Sequence, residues 1–170
     1  MLVRLQIIKV TSLMPGSESF RFVNPSFLEV VYDRLTFAQR FELHVQIAEW
    51  YERRGKDKER QLAYHWTEIV DCMKDPSEEM ILKSVKYLRL SGEKAMRSPA
   101  EAWNWFSKAS TMTYRLPEEK GDSLREEIRA LVDELFPPDA PVSRPASNSS
   151  SIDLRNLAGI SGSANTDYWA

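Results

Sequence analysis

The chain has 170 residues, 28% of them charged, with a formal net charge of −2, so it is sized for one ordinary domain or a domain with a tail. That balance gives no electrostatic footprint for a nucleic-acid backbone, and DNA binding is not expected as its main task. The one cysteine, Cys72, leaves no intramolecular disulfide, and no apolar run reaches the ~18 residues of a membrane span, so a reducing, cytoplasmic setting without membrane contact is expected.

The opening "MLVRLQIIKV" is too short, and at Arg4 and Lys9 too charged, for a secretory signal. "LQIIKV" at 5–10 and "SFRFV" at 19–23 alternate and are rich in branched or aromatic side chains. With Pro15-Gly16 between them they predict a β-hairpin, its strand packed by Phe20 and Phe22.

Helices follow, and their starts share one grammar. Asn24 caps a helix with Pro25 at its first position. Asp75-Pro76-Ser77-Glu78 and Ser98-Pro99-Ala100-Glu101 repeat the device. Thr36-Phe37-Ala38-Gln39 is a capping box without proline. In each, a short polar side chain satisfies an orphan N–H, and proline sits where its missing N–H has no partner anyway. The predicted helices span 25–34, 37–54, 58–73, 76–97, 99–114 and 118–136. Apolar stripes run through Leu43, Ile47, Trp50 and Tyr51, through Val85, Leu88, Ala95 and Met96, and through Leu124, Ile128, Leu131 and Leu135. Val30, Val31 and Leu35 are expected to tie the first helix to the rest. Gly55 reads as a helix stop, and short connections imply antiparallel neighbours. From 137 to 170 the chain turns Ser/Pro-rich without a sustained period, which predicts a disordered tail with one apolar island at 152–160.

No catalytic constellation is expected. "GKDKER" at 55–60 lacks the upstream glycine and the Ser/Thr of a phosphate-binding loop. "ALVDEL" at 130–135 is explained by an amphipathic helix. His44 and His65 fall on different helices, and no spacing with Cys72 demands a metal. Each histidine is expected to hold two helices together by a hydrogen bond, and Cys72 to act as a small buried hydrophobe in a helix. Glu78 and Glu79 sit in a first turn, where the helix dipole favours acids. The aromatics, among them Trp50, Tyr64, Trp66, Trp103 and Phe106, are expected as knobs between packed helices rather than as a binding cage. No cofactor and no metal are expected.

"YLRLSGEKAMRSPAEAWNWFSKAST" at 87–111 has a tetratricopeptide look. Leu88, Gly92 and Ala95 on one helix face Ala102, Phe106 and Ala109 on the next, at a small–large–small spacing that lets two helices approach closely. The interval from Gly92 to Ala102 is short for the repeat, and the closing proline is late, at Pro117.

The run "FRFVNPSFLEVVYDRLTFAQRFELHVQIAEWYE" at 20–52, then "LAYHW", "YLRLSGEKAM" and "AEAWNWFSKA", resembles the region after the ATPase core in STAND-type signalling proteins attached to class III adenylyl/guanylyl cyclases, the soluble adenylyl cyclase-like group. The matching positions are Phe20, Phe22, Asn24, Pro25, Glu29 to Tyr32, Gln39, Arg40, Leu43, His44, Ile47 and Ala48. The resemblance implies a mainly α fold in three parts. Residues 1–35 would be a winged-helix remnant of hairpin plus helix, 36–136 an antiparallel tetratricopeptide-like array, and 137–170 the tail. No catalytic or nucleotide-binding motif of that family is present, so the chain is expected not to be an enzyme, although the parent it resembles would be a cyclase with an ATPase domain.

The expected task is that of a non-catalytic regulatory or scaffolding module, cut from or beside a larger signalling protein and docking through helix-pair surfaces on a protein partner. The candidate interaction residues are Asn24, Pro25, Tyr32, Arg40, His44, Tyr64, His65, Trp66, Trp103 and Phe106. Arg40 is placed to donate to carboxylates or carbonyls of the adjacent helix and fix the hinge. The alternative is a stand-alone tetratricopeptide-like adaptor that takes a peptide or protein partner in a groove lined by residues such as Asn104 and Lys108.

Overall fold

Three helix starts follow local rules of hydrogen bonding, and a fourth opens on proline. Asn24 accepts from Ser26 N–H ahead of α1 (Pro25–Asp33), with Pro25 at the first position. Thr36 and Gln39 complete a reciprocal capping box at the head of α2 (Phe37–Arg54). Ser77 accepts from Met80 N–H before α4 (Glu78–Lys94), with Glu78 and Glu79 in its first turn. Pro99 opens α5 (Pro99–Thr113). The remaining helices are α3 (Glu59–Asp71) and α6 (Glu118–Leu135). This computed structural model describes residues 8–14, 17–55 and 57–137, and within them the chain is mainly helical, with six helices.

Ahead of the helices, β1 (Ile8–Met14) and β2 (Ser17–Phe22) pair antiparallel from Ile8↔Phe22 to Met14↔Ser17, with an irregularity between Val10 and Ser12. The turn expected at Pro15-Gly16, the packing of Phe20 and Phe22, and the tail beyond Pro137 lie outside the described residues and side chains.

Helices α2 to α6 pack chiefly on their sequence neighbours. Side-chain contacts fix the directions. Thr67 meets Ser84 at 2.9 Å while Lys94 reaches Glu59 at 2.8 Å, so α3 and α4 run antiparallel. Arg60 meets Glu101 at 2.8 Å and Asp71 meets Lys108 at 3.7 Å, so α3 and α5 run parallel. Helix α3 is the centre of the array. Residues Leu62 to Thr67, Ile69 and Val70 are all buried, as expected of a helix apolar or satisfied on every side. Leu62, Trp66 and Ile69 join Ala48 and Tyr51 of α2 in one cluster. Ala63, Tyr64 and Val70 join a larger one that continues through Leu88, Phe106, Ile128 and Phe136.

Close approach of α4 and α5 depends on Gly92. Phe106 is fully buried against it, and a Cβ at Gly92 would lie 2.5 Å from Phe106 Cε1. The C-terminal end of α3 is closed by Arg115, which donates to the carbonyls of Val70 at 3.2 Å and Met73 at 3.0 Å and to Asp71 Oδ1 at 3.2 Å. Carbonyls of a last helical turn have no partner within the helix, and this guanidinium supplies one.

Several local expectations are corrected. Val30 and Val31 do not tie α1 to the array, being 51% and 48% exposed; the tie is made by Tyr32. Helix α4 starts at Glu78 rather than Pro76, because Ser77, in extended backbone, takes the capping role expected of Asp75. Its end comes at Lys94, where the Ala95 N–H turns back to carbonyls of the last turn. Ser98 precedes α5 without a side-chain cap bond. Cys72 is not an interior helical residue; it follows α3 as a partly exposed C-cap, its thiol pushed up by burial and then by the charge of Glu68.

Candidate functional site

The helical rules above bring most of the candidate residues to one place, the junction of α1, α2 and α3. Tyr32 lies at the end of α1, Arg40 and His44 on the first turns of α2, and Tyr64, His65 and Trp66 in the middle of α3. Asn24 and Pro25 stand at the other end of α1 and only start it.

A line of hydrogen bonds crosses the junction. The Tyr32 hydroxyl donates to Glu68 Oε2 at 3.1 Å and lies 2.8 Å from His44 Nε2. His44 Nδ1 lies 2.8 Å from His65 Nδ1. Both imidazoles are buried, so each histidine does bridge two helices, and they do it through each other. Aromatic edges enclose the pair: Tyr64 is T-shaped to His44 at 5.6 Å, and Tyr51 stacks on His65 at 5.8 Å. Burial and the facing charge of His44 hold the His65 imidazole well below its usual range.

Arg40 takes the position expected of it. Its Nη2 donates to the Asp33 carbonyl at 3.1 Å, at the C-terminal end of α1, and the guanidinium covers the Tyr32 ring at 4.6 Å. One side chain thus closes a helix end and presses Tyr32 toward the histidines.

Sequence reasoning missed three participants. Glu68 lies one helical turn after Tyr64, so its place on the same face of α3 was accessible from spacing alone. Glu52 and Tyr87 form a second node: Glu52 Oε1 accepts from Trp66 Nε1 at 3.2 Å and from the Tyr87 hydroxyl at 3.1 Å, joining α2, α3 and α4. Burial, then the Glu52 carboxylate, pushes the Tyr87 phenol up to about 12. Residues so far apart in sequence carry no local signal of such a meeting. Trp103 and Phe106 lie elsewhere; Trp103 meets Phe136 edge-on at 5.8 Å, and Phe106 fills the α4–α5 seam. The groove candidates lie on α5, where Lys108 is 3.7 Å from Asp71.

Beside the junction, α1 presents apolar side chains to solvent. Phe27, Val30 and Val31 recur at i, i+3 and i+4 and are 46%, 51% and 48% exposed. Val23 just before the helix is 52% exposed. Among the described residues no group of three or more His, Cys, Asp or Glu is arranged to hold a metal, and no helix is long and apolar enough to cross a membrane.

Comparison of the chain with protein-family models, with curated proteins and with solved structures returns no match.

Proposed function

We propose that this chain is a non-catalytic regulatory or scaffolding module that docks on a protein partner through its helical surfaces, in the manner of the region following the ATPase core of cyclase-linked STAND proteins. In this reading the strands and α1 are the remnant of a winged helix, and α2 to α6 form a tetratricopeptide-like array. The supporting observation is the exposed row Phe27, Val30 and Val31 on a helix held to α2 and α3 by the part-buried hydroxyl of Tyr32. A helix that directs its apolar stripe outward while a polar anchor holds it to the array is suited to receive a neighbour. The near-neutral charge favours a protein partner over nucleic acid.

The reading is tested with the intact chain and a purified ATPase core of the family it resembles, by sedimentation of the mixture. Complex formation that is lost in a Phe27→Ser, Val30→Ser variant of unchanged melting temperature is the expected outcome. Absence of a complex, or ATPase or cyclase turnover by this chain alone, overturns it. The adaptor alternative has less support, because Lys108 of the supposed groove is engaged by Asp71.

A further inference from the structure

The ends of the Tyr32–His44–His65 line determine where its hydrogens sit. Tyr32 spends its one hydroxyl hydrogen on Glu68, so toward His44 its oxygen can only accept. His44 therefore carries a hydrogen on Nε2. Between the two Nδ1 atoms, 2.8 Å apart, there is room for one hydrogen. In the uncharged pair it belongs to His65, and His44 Nδ1 accepts it. A single added proton leaves this bond standing, since one imidazolium can still donate to one imidazole. A second added proton cannot be accepted, because two imidazolium rings would direct N–H against N–H. His44 and His65 are only 2% and 3% exposed, so in the closed form bulk water does not solvate a second charge there.

We propose that the α1–α2–α3 junction is a proton-sensitive latch, whose closed form holds at most one imidazolium and whose opening takes up at least one further proton in acid.

Other groups around the pair do not relieve this limit. From α1 come Tyr32 and Asp33, the latter 3.9 Å from Arg40. From α2 come Arg40 and Tyr51, and Arg40 adds a positive charge over Tyr32. From α3 come Tyr64 and Glu68; Glu68, bound by the Tyr32 hydroxyl, favours a first cation, but a nearby negative charge does not remove the conflict of N–H against N–H between the two Nδ1 atoms. Helix α4 brings Lys83, a further cation, over Trp66 at 4.4 Å. The lowered position of the His65 imidazole agrees in direction with the geometry. Sequential packing determines what opens. Helix α1 has no buried residue among those described, and α2 packs chiefly on α3, so α1 and α2 can part from α3 while α3 to α6 stay together. The latch needs no partner, and its test does not depend on the docking reading.

The experiment is amide hydrogen exchange followed by mass spectrometry on the intact chain between pH 7.5 and 5.5, with exchange times scaled for intrinsic rates. The opening constant of α2 is expected to rise about tenfold per pH unit once the pH falls below the ~6.5 of an exposed histidine, the slope of one proton taken up, while that of α5 stays level. An α2 opening constant indifferent to pH, or one that moves in step with α5, overturns the latch. His65→Gln removes one titrating ring, and its amide can turn to donate to a neutral His44 Nδ1 or to accept from a protonated one, so its slope should flatten; an unchanged slope also overturns the proposal. Should that variant not fold, the profile of the unaltered chain decides alone.

Discussion

The ring of Phe106 rests on the backbone of Gly92, so close that a methyl group at Gly92 would lie 2.5 Å from Cε1 and 2.7 Å from Cδ1. Gly92→Ala sets two effects against each other. Alanine is preferred to glycine inside a helix by about 1 kcal/mol. Overpacking a filled core costs about 1–3 kcal/mol, and Phe106, fully buried, has nowhere to move. The second effect should win, with net destabilisation of up to about 2 kcal/mol in urea unfolding. Phe106→Leu, damaging alone, should restore part of the loss when combined with Gly92→Ala. A Gly92→Ala chain as stable as the original would mean that the seam is looser than described.

Tyr32→Phe removes the one hydroxyl that connects α1 to both α2 and α3. The expected local cost is about 1–2 kcal/mol, since a buried histidine and a carboxylate each lose a partner. Helix α1 carries no buried residue among those described, so the loss should appear there first. Amide protection of α1 should fall sharply while the melting of α3 to α6 hardly changes. Retained α1 protection would show that the helix is held by something other than Tyr32.

Arg115 serves three acceptors at the end of α3. Lysine has the charge without the planar fork, so Arg115→Lys should recover little of what Arg115→Ala loses, about 1–2 kcal/mol by chemical denaturation. If lysine proved equivalent, the charge pair with Asp71 would be the whole effect and the carbonyl contacts would be idle.

Tyr87 gives an alkaline prediction. Its phenol is raised from near 10 to about 12 in the folded chain, first by burial and then by Glu52. The folded state thus holds this proton more tightly than the unfolded state. The associated stability is complete below pH ~10 and is lost as pH rises toward 12. Ultraviolet titration at the phenolate band should show a late component, and Glu52→Gln should bring it earlier. A Tyr87 that ionises near the usual phenol range would contradict the shared hydrogen bond.

The positions of the helices were legible because their starts depend on neighbours in sequence. Asn24, Pro25, Thr36, Gln39 and Gly55 act within a turn of where they stand, and the structure finds Gly55 at φ 80° as a C-cap. Where two caps competed, at Asp75 and Ser77, local grammar did not decide, because both residues can accept a hydrogen bond. The direction of a short helix's apolar side was less accessible. Val30 and Val31 follow the periodicity of a buried stripe, yet they face outward, since one polar anchor at Tyr32 sets the rotation of α1. His44 and His65 were expected to bridge helices, but their meeting with each other required the register of α2 on α3. Glu52 with Tyr87, 35 residues away, left no trace in any local pattern.

The ion pairs at both ends of α3 and α5 have a mechanical consequence. Arg60 is held by Glu101 at one end, and Asp71 by Lys108 and Arg115 at the other. A shift of one residue, about 1.5 Å along the axes, would disturb all of these contacts at once. Bending the array leaves them nearly unchanged. Pulled along its helices, the α3–α5 pair should resist like a braced strut; loaded across them, it should flex.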